Sequence, residues 1–154
     1  MKWNLAELTE DALVAYLRTK CPGTIRVSAA WERDEMEFPA AVVNATGTGP
    51  ISEPAAWHDP RELEVEVAVM TEGAAELDAS GAVMHTARER NMLARSAVMD
   101  ALFVSDLNAQ LVAQGVDGIA FSGAQFATTT RASDGHNLVT IIGGTVYAEP
   151  VTGS

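Results

Sequence analysis

Glu62-Leu63-Glu64-Val65-Glu66-Val67-Ala68-Val69-Met70 alternates polar and apolar side chains with a period of two. Successive side chains on a strand point to opposite faces. The stretch therefore predicts a half-buried strand, with Leu63, Val65, Val67 and Val69 inward and Glu64 and Glu66 on a wet, acidic outer face. A polar, glycine-containing break runs from Thr71 to Gly81, and a helical pattern then spans His85 to Phe103. Strand-like segments near Ile119–Thr130 and Leu138–Tyr147 follow. In front stand a helix, Glu10–Lys20, and two weaker strand-like segments. This order predicts an α+β fold: a mixed or antiparallel sheet of about four to five strands packed against two main helices. Residues 1–154 are read as one domain, long enough to bury a real core.

The opening helix is legible from Leu5 to Arg18, with Thr9 as N-cap and Glu10 and Asp11 where the helix dipole favours negative charge. Leu13, Tyr16 and Leu17 share a face, and Cys21-Pro22-Gly23 stops the helix. Thr24–Trp31 reads as a strand with Ile25 and Val27 on one side. Glu32-Arg33-Asp34-Glu35 reads as a charged turn, and Phe38–Ala45 as the partner strand, with Pro39 near its start. The acidic cluster Glu32, Asp34, Glu35 and Glu37 then sits at a solvated hairpin tip. Thr46–Arg61 is a long Gly/Pro-rich loop carrying the bulky Ile51 and Trp57, where about 4 to 6 residues is typical of a connection.

Within the long helix, Ala87, Ala94, Val98 and Ala101 form one stripe, with Met84, Leu93, Ala97 and Leu102 beside it. Arg88, Glu89, Arg95 and Asp100 form the polar side. Asp106 reads as the cap of a further short helix that Gly115 ends. Asp134-Gly135 is a hairpin signal. Gly143-Gly144 inside an apolar strand marks a bulge, a bend or close backbone approach. The predicted core joins Leu63, Val65, Val67 and Val69 to Val98, Leu102 and Ile141. Residues 149–154 read as a short polar tail.

The chain has a formal net charge of −11, and fifteen acids against six bases precede residue 79. Such a balance argues against gripping a phosphate backbone, which requires Lys and Arg. Cys21 is the one cysteine, so neither an intrachain disulfide nor a Cys-rich zinc site is expected. No stretch reaches the roughly 18 to 20 apolar residues of a membrane span. Met1-Lys2-Trp3-Asn4 lacks the apolar run of a signal peptide. A soluble protein made inside the cell is the expectation.

No reaction centre emerges. His58-Asp59 is the most reactive-looking pair, yet neighbours in a Pro-rich loop seldom aim at one atom, and no second ligand stands at workable spacing. His85 is placed at the first turn of the long helix and His136 at a hairpin tip. Cys21 precedes a proline at a helix end, and an inert thiol rather than a nucleophile is expected there. Gly47-Thr48-Gly49-Pro50 lacks the lysine and helix of a phosphate loop. No enzyme activity, cofactor or metal is expected. The alternative is a small soluble enzyme or ligand-binding α+β domain that uses the His58/Asp59 loop.

The whole arrangement resembles the tail terminator (tail completion or neck) proteins of long-tailed bacteriophages, over about residues 5 to 148. The resemblance lies in the helix ending at Pro22-Gly23, the Phe38-Pro39 strand, the Gly/Pro loop and the alternating strand Leu63–Met70. It continues in the helix His85–Phe103 with Leu107-Asn108, and in the closing pair of strands. It implies a structural virion protein, forming a homo-oligomeric ring, commonly six-fold, that ends tube growth. The implied partners are the tail tube protein and a head-completion or connector protein. DNA would pass through the channel without specific binding, and no membrane is involved. The implied location is the virion neck, after synthesis in the host cytoplasm. A different neck or head-completion protein is a close variant. On physical grounds Glu32, Asp34, Glu35, Glu37, Glu64 and Glu66 are the candidates for an acidic lumen, since a negative wall lets DNA slide. Ile51 and Trp57 are the candidates for a subunit or partner interface.

Overall fold

A computed structural model describes residues 5–32, 37–47, 61–134 and 136–151. The elements in chain order are α1 (Leu5–Lys20), β1 (Arg26–Ala29), a 3-10 turn (Ala30–Glu32), β2 (Ala40–Gly47) and β3 (Arg61–Glu72). There follow β4 (Glu76–Leu77), β5 (Val83–His85), α2 (Ala87–Leu102), α3 (Leu107–Val112), β6 (Ile119–Asp134) and β7 (Asn137–Pro150). The main sheet has five strands in the order β1-β2-β3-β7-β6, and β4 and β5 form a separate ribbon. β1 and β2 are parallel, and every other pairing is antiparallel. The fold is α+β with a mixed sheet, as its sequence predicts.

The alternating stretch became the centre of this sheet. β3 pairs with β2 from Ala40↔Met70 to Gly47↔Leu63, and with β7 from Arg61↔Ala148 to Glu72↔Asn137. Leu63, Val65, Val67 and Val69 are buried in the main core. Leu13, Tyr16 and Leu17 of α1 belong to the same core, with Val98 and Leu102 of α2 and Leu107 and Leu111 of α3. Each such aliphatic side chain contributes about 1.5–3 kcal/mol on burial. The Tyr16 hydroxyl donates to the Ala101 carbonyl at 2.5 Å and ties α1 to α2.

Several local expectations are corrected. Ile141 does not join this core; Ile142 does. Val67↔Ile142 and Ala68↔Ile141 are paired, so the two isoleucines take opposite faces. Ile141 packs instead with Val42, Met70 and Val139 on the other side of the sheet. The first two strands are not a hairpin. They run parallel, so the charged segment between them is a return connection rather than a hairpin tip. Thr9 is no N-cap, because α1 already begins at Leu5; the Thr9 hydroxyl donates to the Leu5 carbonyl at 2.7 Å. The break after the long strand contains β4, and His85 ends β5 rather than opening the helix.

The cap of α2 is Thr86. Its hydroxyl accepts from the Glu89 amide, and the Glu89 carboxylate accepts from the Thr86 amide, a reciprocal capping box. Asp106 precedes α3 without capping it through its side chain, and accepts from Gln110 instead. Gly115, at a φ of 68°, ends that segment as expected. The closing hairpin is longer than its periodicity suggests, reaching Asp134↔Asn137.

On α2 the buried residues are Asn91, Ala94, Val98, Ala101 and Leu102, while Leu93 is 59% exposed and Met84 is also exposed. Asn91 is the unexpected member. Its Nδ2 donates to Thr71 Oγ1 at 3.0 Å, and its Oδ1 accepts from Thr140 Oγ1 at 3.0 Å. This polar clasp joins α2 to β3 and β7, and a buried amide with both ends satisfied carries little penalty.

Val67 and Leu93 separate these assignments. Val67→Asp places an unpaired charge in the core at a cost on the order of 5 kcal/mol, and should abolish the cooperative melt. Leu93→Asp, at an exposed site beside the apolar stripe, should shift stability by only about 0.5 kcal/mol. Thermal denaturation followed by circular dichroism reads both; a Val67→Asp variant melting like the parent would refute the facing of β3.

Candidate functional site

The outer face of the sheet, turned away from the helices, is divided in two. One part is apolar: Val42, Met70 and Val139 are buried there, with Ala30, Phe38, Ala68 and Ile141 packed around them. The other part is polar and acidic. Glu64 and Glu66 are exposed on β3, and their strand neighbours are Thr46 and Thr145 for Glu64 and Asn44 and Gly143 for Glu66. Gln125 and Thr128 of β6 pair with Thr145 and Gly143 on the same face. The boundary follows from β3 itself, where glutamate gives way to Ala68 and Met70 along one side of the strand.

A groove of about 400 Å³ crosses the acidic part, lined by Glu64, Glu66, Gln125, Thr128, Gly143 and Tyr147 among others. Gly143 opens it on the outer face, while Gly144, in register with Val65 and Phe126, faces the core. A Cβ on Gly143 would stand 2.5 Å from Thr128 Oγ1, and one on Gly144 would stand 2.6 Å from both Phe126 Cγ and the Gln125 carbonyl oxygen. Register shifts at Phe121/Gly123 and Phe126/Thr128 fold β6 over this point. Of the bulge, bend or close approach that Gly143-Gly144 suggests, close approach is what the two glycines allow.

A second concavity, about 420 Å³, lies where α2 meets the β4–β5 ribbon. Arg90 reaches it, but its guanidinium is engaged: Nη1 donates to Glu72 Oε2 at 3.3 Å and to the Ala74 carbonyl at 3.0 Å, and Nε lies 3.9 Å from Glu76 Oε2. Arg90 thus clamps the ribbon to the body. The ribbon's turn is held by Asp78, whose Oδ1 accepts from the Ser80 amide, the Ser80 hydroxyl and the Ala82 amide. These donors, the Ser80 hydroxyl first, hold the Asp78 carboxyl below its ordinary value. The anchored ribbon presents Leu77, Val83 and Met84, all more than half exposed. Leu77 falls inside the polar, glycine-containing break and Met84 beside the helical stripe, so no single sequence pattern marks this apolar knob.

The other predicted positions are scattered. Ile51, Trp57, His58, Asp59, Asp34 and Glu35 lie outside the described residues. Glu37 pairs with Arg26 at 3.2 Å in water, and Glu32 is exposed in the 3-10 turn. Glu32 bears on α1 instead, adding to the field at Glu10 and Asp11. Cys21 is a buried free thiol whose pKa burial raises, the opposite of an activated nucleophile. His136 is exposed, and His85 lies 3.8 Å from Glu89. Among the described residues, no group of three or more His, Cys, Asp and Glu is placed to hold a metal ion. Nor is any described helix long and apolar enough to cross a membrane. No protein-family model and no curated protein sequence matches this chain.

Glu10 is the unusual ionisable group. It is 4% exposed on α1, and burial, opposed by a hydrogen bond from the Ala45 backbone and reinforced by Glu7, Asp11 and Glu32, pushes its pKa from 4.5 to about 7. Between those values the folded chain holds a proton that the unfolded chain has released, so stability falls as pH rises through the window. Asp11, raised by burial and then by Glu32 and Glu7, acts in the same direction. Glu10→Gln should flatten the melting temperature between about pH 5 and 7.5 and stabilise the chain at the upper end by roughly 1–3 kcal/mol. An unchanged slope would mean the carboxyl is solvated. On the core side of the glycine pair, Gly144→Ala should cost about 1–3 kcal/mol through overpacking against Phe126 and Gln125, measured by urea denaturation; a neutral result would remove the close approach.

Proposed function

We propose that the chain is a structural virion protein of the tail-terminator kind, forming a ring, in the first instance a hexamer, at the head-proximal end of a phage tail. In this role it ends growth of the tail tube and meets a head-completion or connector protein. The observation that carries the reading is the acidic outer face of the sheet. Glu64 and Glu66 stand on a rigid central strand among uncharged Asn44, Thr46, Gln125, Thr128 and Thr145, in a chain of net charge −11. A channel wall of this sign repels phosphate and lets DNA pass without sticking. The groove along that face, lined by Glu64 and Glu66 with amide and hydroxyl side chains, suits a negative lumen wall.

Ring closure needs a heterologous contact, a knob on one copy meeting a different surface of the next. The β4–β5 ribbon, clamped by Arg90 and exposing Leu77, Val83 and Met84, is a rigid knob of this type. Ile51 and Trp57 remain proposed contributors to the same contact.

Electron microscopy of the isolated protein and of purified virion necks, with mass spectrometry of the particles, tests the proposal. The expected result is a ring with a central channel in the virion neck and the chain present in purified particles. Glu64→Lys with Glu66→Lys should leave the melt unchanged and lower infectivity, while Leu77→Asp with Val83→Asp should impair assembly more than folding. A chain that is monomeric in isolation and missing from particles would overturn the reading.

A further inference from the structure

The two margins of the main sheet, β1 and β6, are unlike. β1 has four residues, and Arg18 covers it: Nε and Nη2 donate to the Val27 carbonyl at 3.1 and 2.9 Å. β6 has 16 residues. α3 packs against its first part, where Ile119 is buried and Phe121 and Ala124 pack on the core. From Ala127 to Ala132 every residue is exposed. Neighbouring residues in a strand point to opposite faces, so this stretch is wet on both. Its marginal position also leaves alternate N–H and C=O groups without a strand partner among the described residues.

Edges of this kind are ordinarily guarded by proline, clustered charge or a bulge. Ala127-Thr128-Thr129-Thr130-Arg131-Ala132 contains no proline and a single charge. One register shift falls at Ala127, the first residue of the stretch, and from Thr128↔Gly143 to Asp134↔Asn137 the ladder with β7 is regular. Its β-branched threonines favour extended backbone. No acid lies between Asp117 and Asp134. On a strongly negative chain, this is a strip along which two copies meet without carboxylates opposing one another.

We propose that the free chain pairs with a second copy through this edge, β6 against β6, antiparallel about a two-fold axis at Thr129. The inference rests on the edge alone and is independent of the ring. The second copy offers its own β6 because its β1 is short and covered by Arg18. With the axis at Thr129, Thr128 faces Thr130 and Ala127 faces Arg131, so the pairing spans the exposed stretch. Threonine pairs are favourable across strands, and the two arginines stay apart. An axis at Arg131 would set the arginines opposite one another. The resulting contact is isologous, so a cysteine at the axis meets its own copy.

Light scattering after gel filtration of the full chain should show a concentration-dependent dimer. Ala127→Lys with Thr129→Lys sets like charges opposite one another along the interface and should return the chain to monomer, with an unchanged circular dichroism melt. Under mild oxidation Thr129→Cys should form a disulfide-linked dimer. Arg131→Cys alone should not, but should cross-link when mixed with Ala127→Cys. Cys21 is buried and does not compete. A parent chain that stays monomeric, a dimer indifferent to the lysines, or equal self-cross-linking at 129 and 131 would overturn the proposal. A ring that persists in the lysine variant would refute the edge as a contact while leaving the terminator reading in place.

Discussion

The two-sided pairing of β3 constrains the rest of the molecule. With β2 on one flank and β7 on the other, its register decides which side chains meet the helices. A shift of one residue would send Val65, Val67 and Val69 to water and three glutamates inward, which no helix could cover. The same register carries Ile142 and Val146 into the main core and leaves Ile141 and Val139 on the far side. The helices follow. α2 offers Ala94 and Ala101, small enough for close packing, together with Val98 and Leu102. Asn91 then clasps β3 and β7 through Thr71 and Thr140, so the helix is located by directional bonds as well as by apolar contact.

The charge is arranged by the same geometry. Glutamates that alternate with valines must share one face, so acidity gathers on the outer surface of the sheet without any tertiary contact to organise it. The helical side carries a different electrostatic feature. Glu10 is buried beside Glu7, Asp11 and Glu32, and its carboxyl is disfavoured as an anion. Arg90 spreads its bonds over Glu72 and the Ala74 carbonyl, beside Glu76, and thereby fixes an otherwise exposed apolar ribbon. The exposed residues Leu77 and Val83 are thus presented in a defined pose, which limits the entropy lost on docking.

The candidate surfaces differed in how much local signal they carried. Glu64 and Glu66 were legible because exposure on a half-buried strand is a matter of parity. The ribbon was not, since β4 and β5 are too short for any periodicity and are held by Arg90 of the following helix. Leu93, read beside the apolar stripe of α2, is exposed, whereas Ala94, Val98, Ala101 and Leu102 are buried. Helical spacing defines an apolar stripe but not its centre, and the stripe's orientation was set by Asn91 reaching Thr71 and Thr140.

The sequence by itself determined the α+β order, the inward face of β3, the helix between the central strands and the closing hairpin, and the tight approach at Gly143-Gly144. These are local properties: the period of apolar residues, turn chemistry and the size of a side chain. Only the tertiary structure decided that β1 runs parallel to β2, that Ile142 rather than Ile141 enters the core, that Arg18 closes one sheet margin, and that Glu10 is buried among acids. Strand direction, parity beyond a glycine pair and burial of a polar group all depend on partners far away along the chain. No local pattern encodes the distance between residues that meet only once the sheet has formed.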